Sequence, residues 1–288
     1  MTRSSTFFIC GAPKSGTTWL QAIMNAHPVV SCFGEGHFVE QIAMPLEGLL
    51  RNYNAKLKLV SERVYQGEED YKLLATGEIV GLTRILLLNL MRRPGLKPTT
   101  QWLGDKTPAY AKHLKALNLI FPDCKVFHIV RDPRDVAVSS LFHAKRAAVI
   151  TDLESETDTR RTLLQNAIGR WKETVNAVND ARELLGPRLM EVRYETLIDA
   201  PRETIPPLFA HLDTLGCDEA VLSAILAGTS FEVMSGGRKP GEESETSFFR
   251  SGTYGQYRDH LTAEEAKMVE QALAPEMQRY SLLEPVAA

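Results

Sequence analysis

The chain has 288 residues, 44% of them hydrophobic and 24% charged, and its formal net charge is -3. These values are typical of a globular protein with a sizeable core, and they exclude a general nucleic-acid binder, which carries a strong basic excess. The four cysteines form no CxxC pair and no apolar run is long enough for a membrane span, so we expect free thiols, no membrane span and a cytoplasmic protein.

The first predicted elements, over residues 7–20, are a buried strand, a tight turn and the start of a helix. The two glycines of the turn permit backbone angles that aim successive amides inward, and the helix adds unpaired amides and the positive end of its dipole. Lys14 adds a full charge, and Ser15, Thr17 and Thr18 add hydroxyl donors. The stretch therefore predicts a phosphate-binding loop. It differs from the loop of nucleoside triphosphatases, in which the lysine directly follows the second glycine.

The rest of the chain alternates predicted strands with predicted helices, which indicates an α/β fold with a mainly parallel central sheet and helices on both faces. Further strands are predicted at 29–33, 125–130 and 189–194, a short strand and loop at 102–108, and helices at 109–119, 160–185 and 201–212. We expect a single domain over residues 1–288, with a helical cap inserted at about 38–100. The polar segment 151–159 is predicted to be an exposed connection, and the loop at about 235–247, which lacks apolar anchors, is predicted to be mobile.

Ligands of open parallel sheets bind beyond the carboxyl ends of the strands. That edge is expected to collect the loop of Lys14 together with Glu35, Lys106, Arg131 and Tyr194. Arginine offers a planar fork of donors suited to phosphate oxygens, although Arg131 and its charged neighbours can equally form a structural salt-bridge network. One anion-binding site is predicted.

Five segments in chain order resemble the sulfotransferases that use 3′-phosphoadenosine 5′-phosphosulfate (PAPS), and together they cover nearly the whole chain. The segments are Pro13-Lys14-Ser15-Gly16-Thr17-Thr18-Trp19-Leu20, Arg131-Asp132-Pro133-Arg134-Asp135-Val136 followed by Ser139, Val192-Arg193-Tyr194-Glu195-Thr196-Leu197, Thr229-Ser230-Phe231-Glu232-Val233-Met234, and Phe248-Phe249-Arg250-Ser251-Gly252.

The resemblance implies a site for PAPS and its product adenosine 3′,5′-bisphosphate (PAP), with no metal ion. In that site the 5′-phosphosulfate is held by Lys14, Ser15, Gly16, Thr17 and Thr18. The 3′-phosphate is held by Arg131, Ser139 and Arg250 with the backbone at Ser251 and Gly252. Adenine is sandwiched by Trp19 and Phe231 and reached by Tyr194. The phenol and steroid enzymes of the family have a lysine where this chain has Ser251, and Arg238 or Lys239 could replace it.

The catalytic base is predicted from the same resemblance. The phenol and steroid branch has a histidine after its Lys-Thr pair, whereas Pro108 follows Lys106-Thr107 here. The segment resembles instead the glycan-modifying branch, whose base is a glutamate soon after the first helix, and Glu35 matches that position. His37 is the alternative base or the hydrogen-bond partner of Glu35. Lys14 is expected to stabilise the leaving oxygen, and Lys106 to touch the transferred group or orient Glu35.

Two other functions stay open at this point. One is a P-loop kinase or nucleotide hydrolase, which the position of Lys14 disfavours, and the other is a non-catalytic nucleotide-binding module. As an enzyme, the chain is expected to act on a hydroxyl group of a small-molecule or carbohydrate acceptor. A homodimer is also left open, because the family's dimer motif is only half matched, by Arg258, Thr262, Ala263 and Lys267.

Overall fold

The computed structural model describes residues 5–67, 71–92, 95–148, 150, 157–213 and 216–283. Within them lies a five-stranded sheet in the order β2-β3-β1-β4-β5, in which all four strand pairs are parallel. The strands are β1 (Ser5–Gly11), β2 (Val30–Gly34), β3 (Trp102–Lys106), β4 (Lys125–Val130) and β5 (Leu189–Arg193). The predicted α/β class is confirmed.

Helices surround this sheet along the whole described chain. The α-helices are α1 (Thr17–Ala26), α2 (Met44–Val64), α3 (Thr76–Met91), α4 (Leu114–Ile120), α5 (Pro133–Arg146), α6 (Thr157–Asp180), α7 (Arg182–Leu185), α8 (Tyr194–Asp199), α9 (Pro201–His211), α10 (Glu219–Gly228), α11 (Phe231–Ser235), α12 (Tyr257–His260) and α13 (Ala263–Arg279). A π-helical turn (Val39–Ala43) precedes α2, and short 3-10 helices cover Pro108–His113 and Gly186–Arg188. A capping box of Thr262 and Glu265 opens α13.

Both faces of the sheet are buried, because alternate side chains of each strand enter different cores. Phe7 and Ile9 of β1 pack with side chains of α1, α9 and α10, whereas Phe8 and Cys10 pack with side chains of α3 and α4 on the other face. A third core around Trp171 joins α5, α6 and α13. Parallel strands covered on both faces require such near-continuous apolar runs, which is why β1 and β4 were readable from the sequence.

Several predicted boundaries are wrong, for local reasons. The single helix predicted over 160–185 is broken, because the amide of Ala181 bonds to the carbonyl of Val178 at 3.1 Å and so closes a tight turn between α6 and α7. The helix predicted over 109–119 begins as a 3-10 helix at Pro108. The strand predicted to reach Tyr194 ends at Arg193, where α8 starts.

The structure adds detail to the predicted cap at 38–100 and to the polar loop at 235–247. The helices α2 and α3 lie within the predicted cap region of 38–100. Within the loop at 235–247, the amides of Gly241 and Ser244 bond to the carbonyls of Ser251 and Arg250 at 2.8 and 3.1 Å. Mobility of that loop and the single-domain organisation stay predictions. Of the predicted connection at 151–159, residues 151–156 lie outside the described part.

Each strand delivers one residue of the predicted site at its carboxyl end. The loop of Lys14 follows β1, Glu35 follows β2, Lys106 ends β3, Arg131 follows β4, and Tyr194 follows β5. The register aligns these ends, with Gly34 opposite Lys106 and Gly11 opposite Ile129. The topology therefore brings residues that are far apart in the chain to one edge of the sheet.

Candidate active site

The phosphate-binding loop connects β1 to α1 and has an unusual backbone at two positions. Lys14 has φ 74° and Gly16 has φ 94°, both in the left-handed region. Glycine is required at the second position, because a Cβ atom there would stand 2.5 Å from a ring carbon of Tyr194. A lysine in this conformation costs free energy, and such residues cluster at functional sites. The loop is therefore held in shape by the ring below it.

Two buried polar atoms beside this loop make no hydrogen bond among the described residues. They are Oγ of Ser15, a residue with 0% exposure, and Nε of Arg131. A buried donor without a partner costs roughly 1–3 kcal/mol, so such atoms call for a ligand. Both donors, together with the first amides of α1, suit an anion with several oxygens.

Arg131 is fixed from three sides. Its Nη1 donates to the carbonyl of Lys14 at 3.4 Å and its Nη2 to the carbonyl of Thr253 at 3.2 Å, and Nη2 lies 3.8 Å from Oδ2 of Asp135. The guanidinium stacks over the ring of Tyr194, 4.4 Å from its centroid. The salt-bridge network considered from the sequence is thus present in part, in the contact of Arg131 with Asp135. Arg131 nevertheless also contacts the phosphate-binding loop, through the carbonyl of Lys14.

Arg250 forms a second cationic centre, on the chain that leads to α12. Its Nη1 lies 2.9 Å from Oε1 of Glu243 and its Nη2 donates to Oε1 of Gln256, while the guanidinium packs on the ring of Phe142 at 4.7 Å. Burial lowers the pKa of Arg250 from its ordinary value, and Glu243 acts in the opposite direction. His260 also approaches Glu243, at 3.2 Å. The side chain of Arg250 is only 6% exposed among these contacts.

One cavity gathers nearly all predicted nucleotide-binding residues. Its lining includes the predicted residues Lys14, Gly16, Thr17, Thr18, Trp19, Arg131, Ser139, Tyr194, Phe231, Arg250, Ser251 and Gly252. Ser15 is buried directly behind this lining. The lining also includes Ile198, Met234, Phe248, Phe249 and Thr253, to which the sequence had assigned no role. The residues come from five separate parts of the chain.

Aromatic side chains give this cavity its apolar part. The indole of Trp19 donates to the carbonyl of Thr229 at 2.8 Å, which ties α1 to the segment before Phe231. Gly252 has φ 66°, and a Cβ atom there would stand 2.2 Å from the ring of Phe231. The glycine therefore lets the backbone of the Arg250 segment lie against the aromatic ring. A flat ring system and an anion can be bound side by side here.

The ammonium group of Lys14 has a lowered pKa. Burial, followed by the nearby charge of Arg146, lowers the pKa of Lys14 to about 8. Its ammonium group also lies 4.8 Å from the centroid of the Phe248 ring, a cation–π distance. Phe248 is a neighbour that the sequence did not predict, although it belongs to a segment quoted for the resemblance. The doublet of aromatic residues directly before Arg250 is the signal that could have identified it.

The candidate base Glu35 has a partner at each carboxylate oxygen. Oε1 lies 2.5 Å from Nζ of Lys106, which is only 5% exposed, and Oε2 lies 3.4 Å from Nε2 of His37. The side chain of Glu35 is 40% exposed. Lys106 is thus ion-paired with one oxygen of Glu35 and His37 lies beside the other, while the catalytic roles of the three residues stay predictions.

Two residues that support this part of the site were not singled out from the sequence. Asp105 is buried, and its Oδ1 accepts hydrogen bonds from the hydroxyl groups of Thr107 and Tyr110 at 3.0 and 2.7 Å. Glu40 binds the other nitrogen of His37, with Nδ1 and Oε1 2.6 Å apart. The polar segment 104–110 and the spacing of three residues from His37 to Glu40 were the available signals.

Arg238, considered from the sequence as a 3′-phosphate ligand, has other partners. Its guanidinium donates to the carbonyls of Glu242, Phe249 and Arg250, and it lies 5.3 Å from the Phe231 ring centroid. These bonds fix the loop onto the Arg250 segment. Among the residues that the structure describes, there is no group of three or more His, Cys, Asp or Glu residues that could hold a metal ion. No helix in the described ranges is both long and apolar enough to cross a membrane.

The profile of the Sulfotransferase family matches residues 6–215, most of the chain. The chain belongs to this family. It is similar to "Protein-tyrosine sulfotransferase 1" of Danio rerio, with 26% identity over 216 residues, or 75% of this chain and 54% of that protein. It is also similar to "Protein-tyrosine sulfotransferase A" of Caenorhabditis elegans, with 26% identity over 76% of this chain and 53% of that protein. The chain thus spans about half the length of these relatives.

Solved structures show the same fold at lower identity. Mouse sulfotransferase SULT7A1, complexed with PAP, has a TM-score of 0.57 and 17% identity, over 96% of this chain and 85% of that chain. Retinol dehydratase, in a complex with retinol and PAP, has a TM-score of 0.53 and 20% identity, over 98% of this chain and 84% of that chain. At these identities the likeness concerns the fold.

Proposed function

We propose that the chain is an enzyme that transfers a sulfuryl group from PAPS to a hydroxyl group. The observation that carries this proposal is the single cavity lined by the phosphate loop, by Arg131, Ser139 and Arg250, and by Trp19 and Phe231. Two sets of anion-binding groups and several aromatic rings in the same lining suit a nucleotide that bears charge at two positions. PAP, with which mouse sulfotransferase SULT7A1 and retinol dehydratase are complexed in their structures, is such a nucleotide.

The residues present fit this group. In the proposed complex the 5′-phosphosulfate is held by Lys14, Ser15, Gly16, Thr17 and Thr18, and the 3′-phosphate by Arg131, Ser139, Arg250, Ser251 and Gly252. Trp19 and Phe231 would sandwich adenine, and Tyr194 would reach it from beneath the loop. The unpartnered Oγ of Ser15 and Nε of Arg131 support the assignment, because each is a buried polar atom that a phosphate oxygen would satisfy.

Bound PAPS would supply an activated sulfuryl group with a phosphate as its leaving group. Lys14 would neutralise the negative charge that develops on the leaving side, as preorganised cations do in phosphoryl transfer. Glu35 would accept the proton of the attacking hydroxyl, while Lys106 keeps the carboxylate oriented from its other oxygen. The positive charge needed comes from side chains, so we expect no requirement for a metal ion.

The proposed acceptor is a hydroxyl of a small molecule or carbohydrate, enclosed by the cap helices α2 and α3. Because two relatives are named protein-tyrosine sulfotransferases, a tyrosyl peptide belongs in the same acceptor screen as an alkyl alcohol and a sugar. A homodimer and a cytoplasmic location stay predictions.

Calorimetric titration with PAP, ADP and ATP, each with and without magnesium, tests the nucleotide. We expect tight binding of PAP alone, independent of magnesium and lost in Arg131→Ala. Lys112→Ala is the matched control, since Lys112 is a partly exposed cation paired with Glu173 away from the cavity. A preference for ATP with magnesium would replace the proposal with a phosphotransferase. PAP binding without transfer to any acceptor would leave a nucleotide-binding module.

A further inference from the structure

Three titratable residues that follow β2 form a chain of short contacts leading away from Lys106. Glu35 lies between Lys106 and His37, and His37 lies between Glu35 and Glu40. The contacts are 2.5 Å to Lys106, 3.4 Å to Nε2 of His37, and 2.6 Å from Nδ1 of His37 to Glu40. Both ring nitrogens of the histidine thus face a carboxylate, and only one of these carboxylates belongs to the proposed base.

The backbone that carries these residues is anchored by three consecutive amides. The amide of Gly36 donates to Oδ1 of Asp105, that of His37 to Oγ1 of Thr107, and that of Phe38 to Oη of Tyr110, each at 3.3 Å. The two hydroxyl groups donate in turn to Asp105. The backbone that carries the imidazole is therefore held in place. A group that transfers protons over short distances requires such a fixed position.

Glu40 determines which ring nitrogen of His37 carries the proton. An ionised carboxylate only accepts hydrogen bonds, so the 2.6 Å contact places a hydrogen on Nδ1. In neutral His37 the lone pair is then on Nε2, the nitrogen that faces Glu35. The hydrogen bond to Glu40 raises the pKa of His37, and burial acts in the opposite direction.

The carboxylate of Glu40 is not an ordinary solvated surface group. Its side chain is 21% exposed, and Oε2 is buried without a hydrogen bond among the described residues. Glu40 lies in the first turn of the helical stretch that continues from the π-helical turn into α2. The described polar partner of its side chain is nevertheless the imidazole of His37.

We propose that Glu40 positions His37 as a proton relay for Glu35, an inference that rests on the proposed function. Glu35 takes the proton of the acceptor hydroxyl on Oε2 and becomes a neutral acid. It passes that proton to Nε2 of His37, which restores the carboxylate and leaves an imidazolium between two carboxylates. His37, with 43% exposure, releases the proton to water. Only protons are transferred in this sequence. After it, Glu35 is again a carboxylate and His37 is again neutral, so both can take part in the next turnover.

The other charges that face this relay are cationic or already bonded. Lys106 approaches from β3 and Lys14 from the phosphate loop, and Asp105 beneath is occupied by three donors. The two carboxylates favour the imidazolium of His37. Because His37 must be neutral to accept a proton, the relay fails as the pH falls through the pKa of His37.

The first measurement of the test observes the histidine directly and needs no nucleotide. In ¹⁵N-histidine-labelled protein, with His37→Asn for assignment, we expect the Nδ1–H tautomer at high pH. In Glu40→Gln we expect the pKa of His37 to fall by about one unit. In turnover assays the acid limb of kcat should move to lower pH with it, and the plateau of kcat should fall about tenfold with KM little changed. Glu47→Gln, on exposed α2, is the matched control and should change neither measurement.

An Nε2–H tautomer in the unmodified protein, or an unchanged pKa and acid limb in Glu40→Gln, would overturn the relay. A loss of activity in Glu40→Gln that accompanies a loss of PAP affinity would mean that Glu40 is only structural. If Glu40→Gln does not fold, Glu40→Asp, whose carboxylate is one methylene shorter, takes its place in both measurements. Failure of PAP to bind the unmodified protein would reject the proposed function instead, while the tautomer is still read out.

Discussion

At the scale of single residues, the two oxygens of the Glu35 carboxylate have different partners. Oε1 is bound to buried Lys106, whereas Oε2 faces His37 and the more open side. A carboxylate held in this way presents one oxygen to a substrate in a fixed direction. The sequence identified both neighbours of Glu35 but could not assign them to its two oxygens, because that depends on the register of β2 and β3.

Replacing this carboxylate tests the proposed base. We expect Glu35→Gln to lower kcat by about 10²–10⁴-fold, the usual contribution of a general base, because the amide cannot accept the proton. PAP affinity should stay within about twofold of the unmodified protein, since the phosphate-binding residues are unchanged. Steady-state kinetics and calorimetry on the same samples measure both quantities. Near-normal turnover would move the role of base to His37.

The lowered pKa of Lys14 predicts proton uptake on binding. Above about pH 8 the free protein has lost much of this proton, and a phosphate against Lys14 restores the charged form. Affinity for PAP should therefore fall as the pH rises from about 8 to about 10, by up to about tenfold per unit. Calorimetry in buffers of different ionisation enthalpy counts the protons. In Lys14→Arg, which keeps its charge, the uptake should disappear, and uptake that persists there would contradict the assignment.

At the scale of elements, one carboxylate ties the last helix to the sheet. Glu191 of β5 lies in register with His128 of β4, which lies in register with Cys10 of β1. Oε1 of Glu191 accepts from the hydroxyl of Tyr280, just after α13, at 2.8 Å, and Oε2 is 2.7 Å from Arg182. Burial acts to raise the pKa of Glu191, but the bonds from His128, Arg182 and Tyr280 outweigh it and lower the pKa to about 2.

This lowered pKa predicts a defined acid sensitivity. A carboxyl whose folded pKa is depressed contributes stability above its unfolded pKa of 4.5 and loses it as the pH falls towards about 2. We expect Glu191→Gln to lower the free energy of unfolding by about 2 kcal/mol at neutral pH, with the difference shrinking below about pH 4. Urea unfolding at several pH values measures it. Glu183→Gln, an exposed neighbour, should show no such trend, and a pH-independent difference for Glu191→Gln would refute the linkage.

At the scale of the whole molecule, the proposed nucleotide site joins parts of the chain that are otherwise separate. The loop after β1, the end of β4, the start of α8, the start of α11 and the segment before α12 all line one cavity. A ligand that contacts all of them binds only the folded chain. Binding energy at such a site therefore appears directly as stability against unfolding.

This linkage predicts a thermal shift. At a PAP concentration of 100 times Kd the folded state gains about 2.7 kcal/mol, which for a chain of this size corresponds to a rise in Tm of about 5 °C. The rise should be lost in Arg131→Ala and kept in Lys112→Ala, both followed by scanning calorimetry. An equal rise with ATP in the presence of magnesium would argue against the proposed specificity.

The sequence by itself determined the order of the five strands and most of the residues that line the cavity. Apolar runs such as 125–130 and the turn residues after 11 encode local structure, because burial on both faces and left-handed backbone angles each demand particular residue types. Only the tertiary structure decided which side chains bind to each oxygen of a given carboxylate. The pairs Glu35 with Lys106, Glu243 with Arg250, and Glu191 with Tyr280 lie between 7 and 89 positions apart along the chain. Their contact depends on strand register and helix packing, which no local pattern of residues specifies.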